Sequence, residues 1–207
     1  MRKGLKICGV SDPKTLSFIL NHPYPPKFIG FITNYKKSKR FVSYEKLKKL
    51  TELNKKEVKF VSVLVNPKNE ILEKIKFLNF DFYQLYDVNP KRTLEIKKKF
   101  RIKIISALTI SNKKDVNKYK DYLEISDIIL FDSKGYHKSQ SFDHSLLNEV
   151  PSDLNKMIAG NIQIDDIPKL KNKNFIIDLS GSVENNNGKK DLNKINRLLN
   201  LFVKNEN

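Results

Sequence analysis

Phe60-Val61-Ser62-Val63-Leu64-Val65-Asn66-Pro67-Lys68-Asn69-Glu70-Ile71-Leu72-Glu73-Lys74-Ile75-Lys76-Phe77-Leu78-Asn79-Phe80-Asp81-Phe82-Tyr83-Gln84-Leu85 is the stretch whose pattern decides the fold. It opens on a run of β-branched and aromatic side chains, Phe60-Val65, and breaks at Asn66-Pro67, a helix-start signal. Ile71, Leu72, Ile75 and Leu78 then fall on one face of a helix over Asn69-Leu78, and a second apolar run follows at Phe80-Leu85. The runs are too apolar to alternate cleanly, which marks strands covered on both faces. No Asn-Gly or Asp-Gly hairpin signal joins them, so the second strand lies parallel to the first and the helix is the crossover.

The same unit recurs outward in both directions. Lys6-Val10, Phe28-Ile32, Ile102-Ala107, Ile128-Phe131, Met157-Ala159 and Phe175-Leu179 bring the candidate strands to eight. Amphipathic stretches lie between them, such as Tyr44-Leu53 with Leu47 and Leu50, and a last one spans Leu192-Val203. Ser43, Asn89-Pro90 and Ser111 mark further helix starts. Eight βα units within 207 residues, with no GxGxxG after the first strand, predict an α/β fold of one kind. It is a single (β/α)₈ TIM barrel with a parallel eight-stranded sheet, one domain over residues 1–207. No linker interrupts it, and Asn185-Asn186-Asn187-Gly188 reads as a turn before the last helix.

Composition removes several classes of function. Apolar residues at 39% and charged residues at 30% exclude bulk disorder. No apolar run approaches the roughly 18 residues of a membrane span, and the start is too short in its apolar stretch for a signal peptide, so a soluble cytoplasmic protein without membrane partners is expected. A lone cysteine, Cys8, excludes an intramolecular disulfide framework and a multi-cysteine zinc site; no metal is expected. The formal charge of +17 invites a nucleic-acid reading, but only five of the 40 basic residues are arginine, the side chain whose fork suits phosphate and base edges. The lysines are dispersed among many Asn and Ile, which fits an AT-biased coding composition, with steering of an anionic ligand as the functional alternative. No nucleic-acid partner is expected; a basic nucleic-acid-associated protein is the competing class.

In such a barrel the chemistry lies at the carboxyl ends of the strands. Four of the seven glycines, Gly9, Gly135, Gly160 and Gly181, fall just after a strand or in the loop that follows one. Those after the seventh and eighth strands either cradle a phosphate or simply end strands. Cys8 is either a small buried hydrophobe or a working thiol, and Asp132 either a loop anchor or a working acid. Together they are a base and an acid candidate on one rim: a thiolate of lowered pKa takes a proton from carbon, and a partly desolvated carboxylic acid gives one. Arg40, alone in a field of lysines, is either a bidentate carboxylate ligand or a solvated loop charge.

The chain resembles phosphoribosylanthranilate isomerase on segments that run from the first strand to the last helix. Lys6-Ile7-Cys8-Gly9 is similar to that family's opening KICG, Gly30-Phe31-Ile32 with Ser38-Lys39-Arg40 to its GF(I/V)F and S(P/K)R, and Ile129-Leu130-Phe131-Asp132-Ser133 to its LLD(S/T). Gln84-Leu85, Ala159-Gly160-Asn161-Ile162, Asp178 with Val183-Glu184, and Gly188-Lys189-Lys190-Asp191 match further motifs in order. The resemblance implies an aldose–ketose isomerase of tryptophan biosynthesis that performs an Amadori rearrangement on a small phosphorylated substrate, as a monomer or a homodimer. It implies Cys8 as general base, Asp132 as general acid and Arg40 at the anthranilate carboxylate. The phosphate falls to Gly160, Asn161, Ser180, Gly181 and Ser182. An iminium serves as the electron sink, so no cofactor is implied.

Four departures stand out. Tyr136-His137-Lys138-Ser139 replaces a glycine-rich segment, Asn161 the second glycine of a pair, and Tyr86-Asp87 a His-Gly; Ser180-Gly181-Ser182 exchanges the last two residues of SSG. They motivate a second hypothesis, a barrel of the same descent that binds a phosphorylated sugar without this activity.

Overall fold

The computed structural model describes residues 4–133, 142–171 and 173–203; Gly135 and the Tyr136-Ser141 segment lie outside them. Eight parallel strands pair in chain order and the eighth returns to the first, closing a barrel. They are β1 (Gly4–Cys8), β2 (Phe28–Ile32), β3 (Lys59–Val65), β4 (Phe82–Tyr86), β5 (Lys103–Ile110), β6 (Ile128–Ser133), β7 (Lys156–Ile158) and β8 (Ile176–Leu179). The helices among the described residues are α1 (Pro13–Leu20), α2 (Tyr44–Thr51), α3 (Asn69–Ile75), α4 (Pro90–Phe100), α5 (Lys113–Asn117), α6 (Ile167–Leu170) and α7 (Leu192–Val203). The (β/α)₈ reading of the sequence therefore holds.

Local chemistry explains most boundaries. Asp12 and Asn89 cap α1 and α4 by accepting from the amides of Thr15 and Arg92, each with a proline in the first turn. At the opening stretch the strand holds and the helix starts at Asn69 as expected but ends at Ile75, short of Leu78; Asn66 turns the chain at φ 39° and Lys68, not Asn66, precedes the first helical residue. Asn112, not Ser111, caps α5. Between β6 and β7 the described residues hold a 3₁₀ turn, His144–Leu147, and α6, between β7 and β8, is four residues long.

Strand parity separates two cores. Leu5, Ile7, Ile29, Phe31, Ile104 and Ile177 face the helices and pack with residues such as Leu16 and Leu198. The alternate positions fill the barrel. Phe28, Phe82, Ile128 and Ile176, one from each even-numbered strand, lie at its amino end, and the Phe28 and Phe82 rings meet edge to face at 5.6 Å. Continuing the same parity toward the carboxyl end brings up Lys6, Gln84 and Asp178, then Cys8, Tyr86 and Asp132. The interior thus changes from hydrocarbon to polar on the way to the mouth.

Candidate active site

A cavity of about 400 Å³ opens at the carboxyl ends of the strands, and Cys8, Arg40, Asp132, Gly160, Asn161, Ser180, Gly181 and Ser182 all line it. Every site residue expected from the sequence is thus brought to one place, in a volume suited to a small ligand.

Cys8 ends β1 at 8% exposure. Below it Lys6, fully buried, donates to Asp178 Oδ2 at 2.7 Å across the β1–β8 pairing, where the two residues are register partners. Burial works against the Lys6 charge, but Asp178 and Cys8 outweigh it and hold the ammonium above its usual range. A side chain on Gly30, the β2 partner of Cys8, would stand 3.0 Å from the Cys8 sulfur and 3.2 Å from Lys6 Nζ, so glycine there leaves room for both. Burial pushes the Cys8 thiol up, while the charges of Lys6 and Lys190 oppose the rise; the net direction is upward. This departs from the lowered thiol pKa that base chemistry suggests, because the sulfur is more enclosed than an end-of-strand position implies.

Asp132, the interior-facing residue near the end of β6, lies next to Thr109 of β5. Its Oδ1 accepts from the Ser133 amide and its Oδ2 from the Tyr86 hydroxyl, each at 2.8 Å. Burial nevertheless raises the carboxyl to about 6, the direction a general acid needs.

Arg40 reaches the mouth with its stem lying across Gly9: a Cβ there would stand 2.5 Å from Arg40 Cδ. Its guanidinium is already engaged. Nε and Nη2 donate to the two carboxylate oxygens of Glu184 at 2.5 and 2.9 Å, and Lys190 Nζ donates to Glu184 Oε1 at 2.9 Å. Burial alone would raise Glu184, yet Arg40 and Lys190 hold it below the usual carboxylate range.

On the β7–β8 side, Gly160 and Asn161 follow one another at φ 98° and 53°. Asparagine adopts the left-handed conformation in the place of a second glycine. The Ser133 and Ser182 hydroxyls line the cavity, buried and without a hydrogen-bond partner among the described residues.

Lys6, Gln84, Tyr86, Glu184 and Lys190 were not singled out as site residues by the sequence reading. One signal could have found Lys6 and Asp178: each is a charged residue at an interior-facing position of an otherwise apolar strand.

A family model described as N-(5'-phosphoribosyl)anthranilate (PRA) isomerase matches residues 5–201. The chain belongs to this family. Among its relatives, the N-(5'-phosphoribosyl)anthranilate isomerase of Campylobacter jejuni is 34% identical, covering 94% of this chain and 96% of the other. That of Rhizobium rhizogenes is 30% identical over 94% and 91%. The crystal structure of the phosphoribosylanthranilate isomerase of Thermotoga maritima matches with a TM-score of 0.82 at 27% identity, covering 98% of each chain. A phosphoribosylanthranilate isomerase solved with reduced 1-(o-carboxyphenylamino)-1-deoxyribulose 5-phosphate matches at 0.78 and 26%, again over 98% of each chain. Among the described residues no helix is long and apolar enough to cross a membrane.

Proposed function

We propose that this chain isomerises N-(5-phosphoribosyl)anthranilate to 1-(2-carboxyphenylamino)-1-deoxyribulose 5-phosphate in tryptophan biosynthesis, with Cys8 as general base and Asp132 as general acid. The observation that carries the reading is the pair itself: the lone thiol of the chain and a carboxyl raised to about 6 line one cavity of a barrel of this family.

Asp132 gives its proton to the ribose ring oxygen. The ring C–O bond breaks, the oxygen leaves as a hydroxyl, and the anilino nitrogen lone pair forms the iminium. Cys8, as thiolate, then removes the C2′ proton. The electron pair moves into the C1′–C2′ bond and neutralises the iminium, leaving an enolamine that tautomerises to the ketone. Both proton transfers balance within the site, and the enzyme is left as Cys8 thiol and Asp132 carboxylate.

With the thiol pKa above that of the carboxyl, this end form is also the one that prevails at neutral pH. The starting form, thiolate with carboxylic acid, is its minor tautomer of equal charge, so its share is constant between the two pKa values.

Two further contacts follow. The phosphate takes the amides around Gly160-Asn161 and Gly181-Ser182, with the Ser182 hydroxyl as an additional donor. Arg40, anchored through Nε and Nη2, keeps its Nη1 edge for the anthranilate carboxylate. The dispersed positive charge of the chain favours a substrate that carries both groups.

The test is rescue of a bacterium lacking this isomerase on medium without tryptophan, paired with a fluorescence assay for loss of the anthranilate substrate. Growth and turnover are expected. A folded protein that binds the product analogue but supports neither is instead the non-catalytic barrel of the second hypothesis.

A further inference from the structure

A general acid must be aimed as well as protonated, and the groups around Asp132 differ in what they do for it. Asp178 of β8 raises its proton affinity and Lys6 of β1 lowers it, both through space, while Thr109 of β5 is an uncharged neighbour. Among the described residues, Tyr86 and the Ser133 amide hold its oxygens. Tyr86 closes β4 with its side chain inside the barrel, 9% exposed and part of the cavity wall. Its hydroxyl accepts from Gln84 Nε2 at 3.2 Å, and Gln84 is fully buried on the same strand face. The phenol oxygen accepts that N–H and gives its own proton to Asp132 Oδ2. Burial, with the charges of Asp132, Asp178 and Cys8, pushes the phenol well above its usual range, so it stays a donor while the site works.

We propose that Tyr86, aimed by Gln84, is the positioning residue for the acid: with the Ser133 amide it clamps both carboxyl oxygens and stabilises the carboxylate formed when the proton leaves. The inference rests on the reading of Asp132 as general acid. It also gives a use to a departure from the family pattern, since Tyr86-Asp87 stands where the motif has His-Gly. Asp87 supports the exchange by taking the left-handed turn itself, at φ 54°.

The experiment compares Tyr86→Phe, Gln84→Met and Asp132→Asn by steady-state kinetics against pH, with thermal melts to confirm folding. Tyr86→Phe keeps the ring and loses only the hydroxyl. Removing a donor to the carboxylate raises the Asp132 pKa, so the acid limb of kcat/KM moves from about 6 upward by about one unit. The clamp's loss lowers kcat about tenfold with KM little changed. Gln84→Met shifts the limb the same way by less. A folded Tyr86→Phe enzyme with an unmoved limb and wild-type kcat overturns the inference while Asp132→Asn stays inactive. An active Asp132→Asn overturns the underlying reading instead, so the two failures are told apart.

Discussion

The two sides of the barrel mouth solve opposite problems with different chemistry. Around Cys8, at the β8–β1–β2 side, the neighbours are formal charges: Lys6, Asp178, Lys190, and the Arg40–Glu184 pair. Around Asp132, at the β4–β6 side, the direct contacts are neutral donors, the Tyr86 hydroxyl and the Ser133 amide. A base that works as a thiolate needs cations to make its charge tolerable in an enclosed place. An acid that works by giving up a proton must still hold one, and a cation in direct contact would already have stripped it. Neutral donors aim the carboxyl at a smaller electrostatic cost.

That contrast can be attacked from both sides. The largest effects are on turnover: Cys8→Ala and Asp132→Asn each lower kcat by about 10²–10⁴-fold with folding retained, because each removes one proton transfer. Wild-type rates in either variant would end the assignment of base and acid.

Stability separates the two sides next. Lys6→Met leaves the Asp178 carboxylate buried without its cation and costs about 3–5 kcal/mol in urea unfolding. Gln84→Met, which removes a neutral amide whose Oε1 lacks a partner among the described residues, stays within about 1 kcal/mol. Equal losses would erase the distinction between a charged and a neutral side.

The pH profile sharpens it. Activity rises through about 6 as Asp132 titrates and falls again above the usual thiol range as Cys8 does, because the competent form carries one proton between them. With a single cysteine in the chain, thiolate absorbance in the far ultraviolet reports Cys8 alone. A thiol titrating below neutrality would reverse the assignment of the limbs.

The smallest effect concerns what Asp132 does to the fold. Its carboxyl is raised to about 6 from an ordinary value near 4, so ionisation is disfavoured in the folded chain. The penalty is complete above the folded pKa and disappears as pH falls through it toward the unfolded value. Asp132→Asn therefore stabilises the protein by about 2–3 kcal/mol at pH 8, and the gain fades by about pH 4. A variant no more stable than wild type at pH 8 would mean that the carboxyl is not under strain.

The unit from β3 through α3 to β4 was legible because its periodicities change cleanly from one element to the next. The 3₁₀ turn His144–Leu147 was not, since four residues leave no helical period to read. Cys8, Asp132 and Arg40 could be named from motif and strand-end position. Their partners could not, because the partnerships are distant in the chain: Lys6 and Asp178 are 172 residues apart, Arg40 and Glu184 are 144, and Tyr86 and Asp132 are 46. A lysine in an apolar strand looks like a loose end until the closing register sets a carboxylate opposite it. The raised thiol pKa was missed for a related reason, since enclosure is a property of the assembled mouth and not of Lys6-Ile7-Cys8-Gly9.

The Lys6–Asp178 bridge joins the first strand of the chain to the last. Its ammonium has no carboxylate until the final strand docks, so the cylinder closes and the thiol acquires its electrostatic surroundings in one event. The contact closes one of the longest loops open to the polypeptide. A chain whose last strand has slipped or been clipped away loses this pairing and the thiol's surroundings with it, which makes turnover a gauge of whether the first and last strands have met.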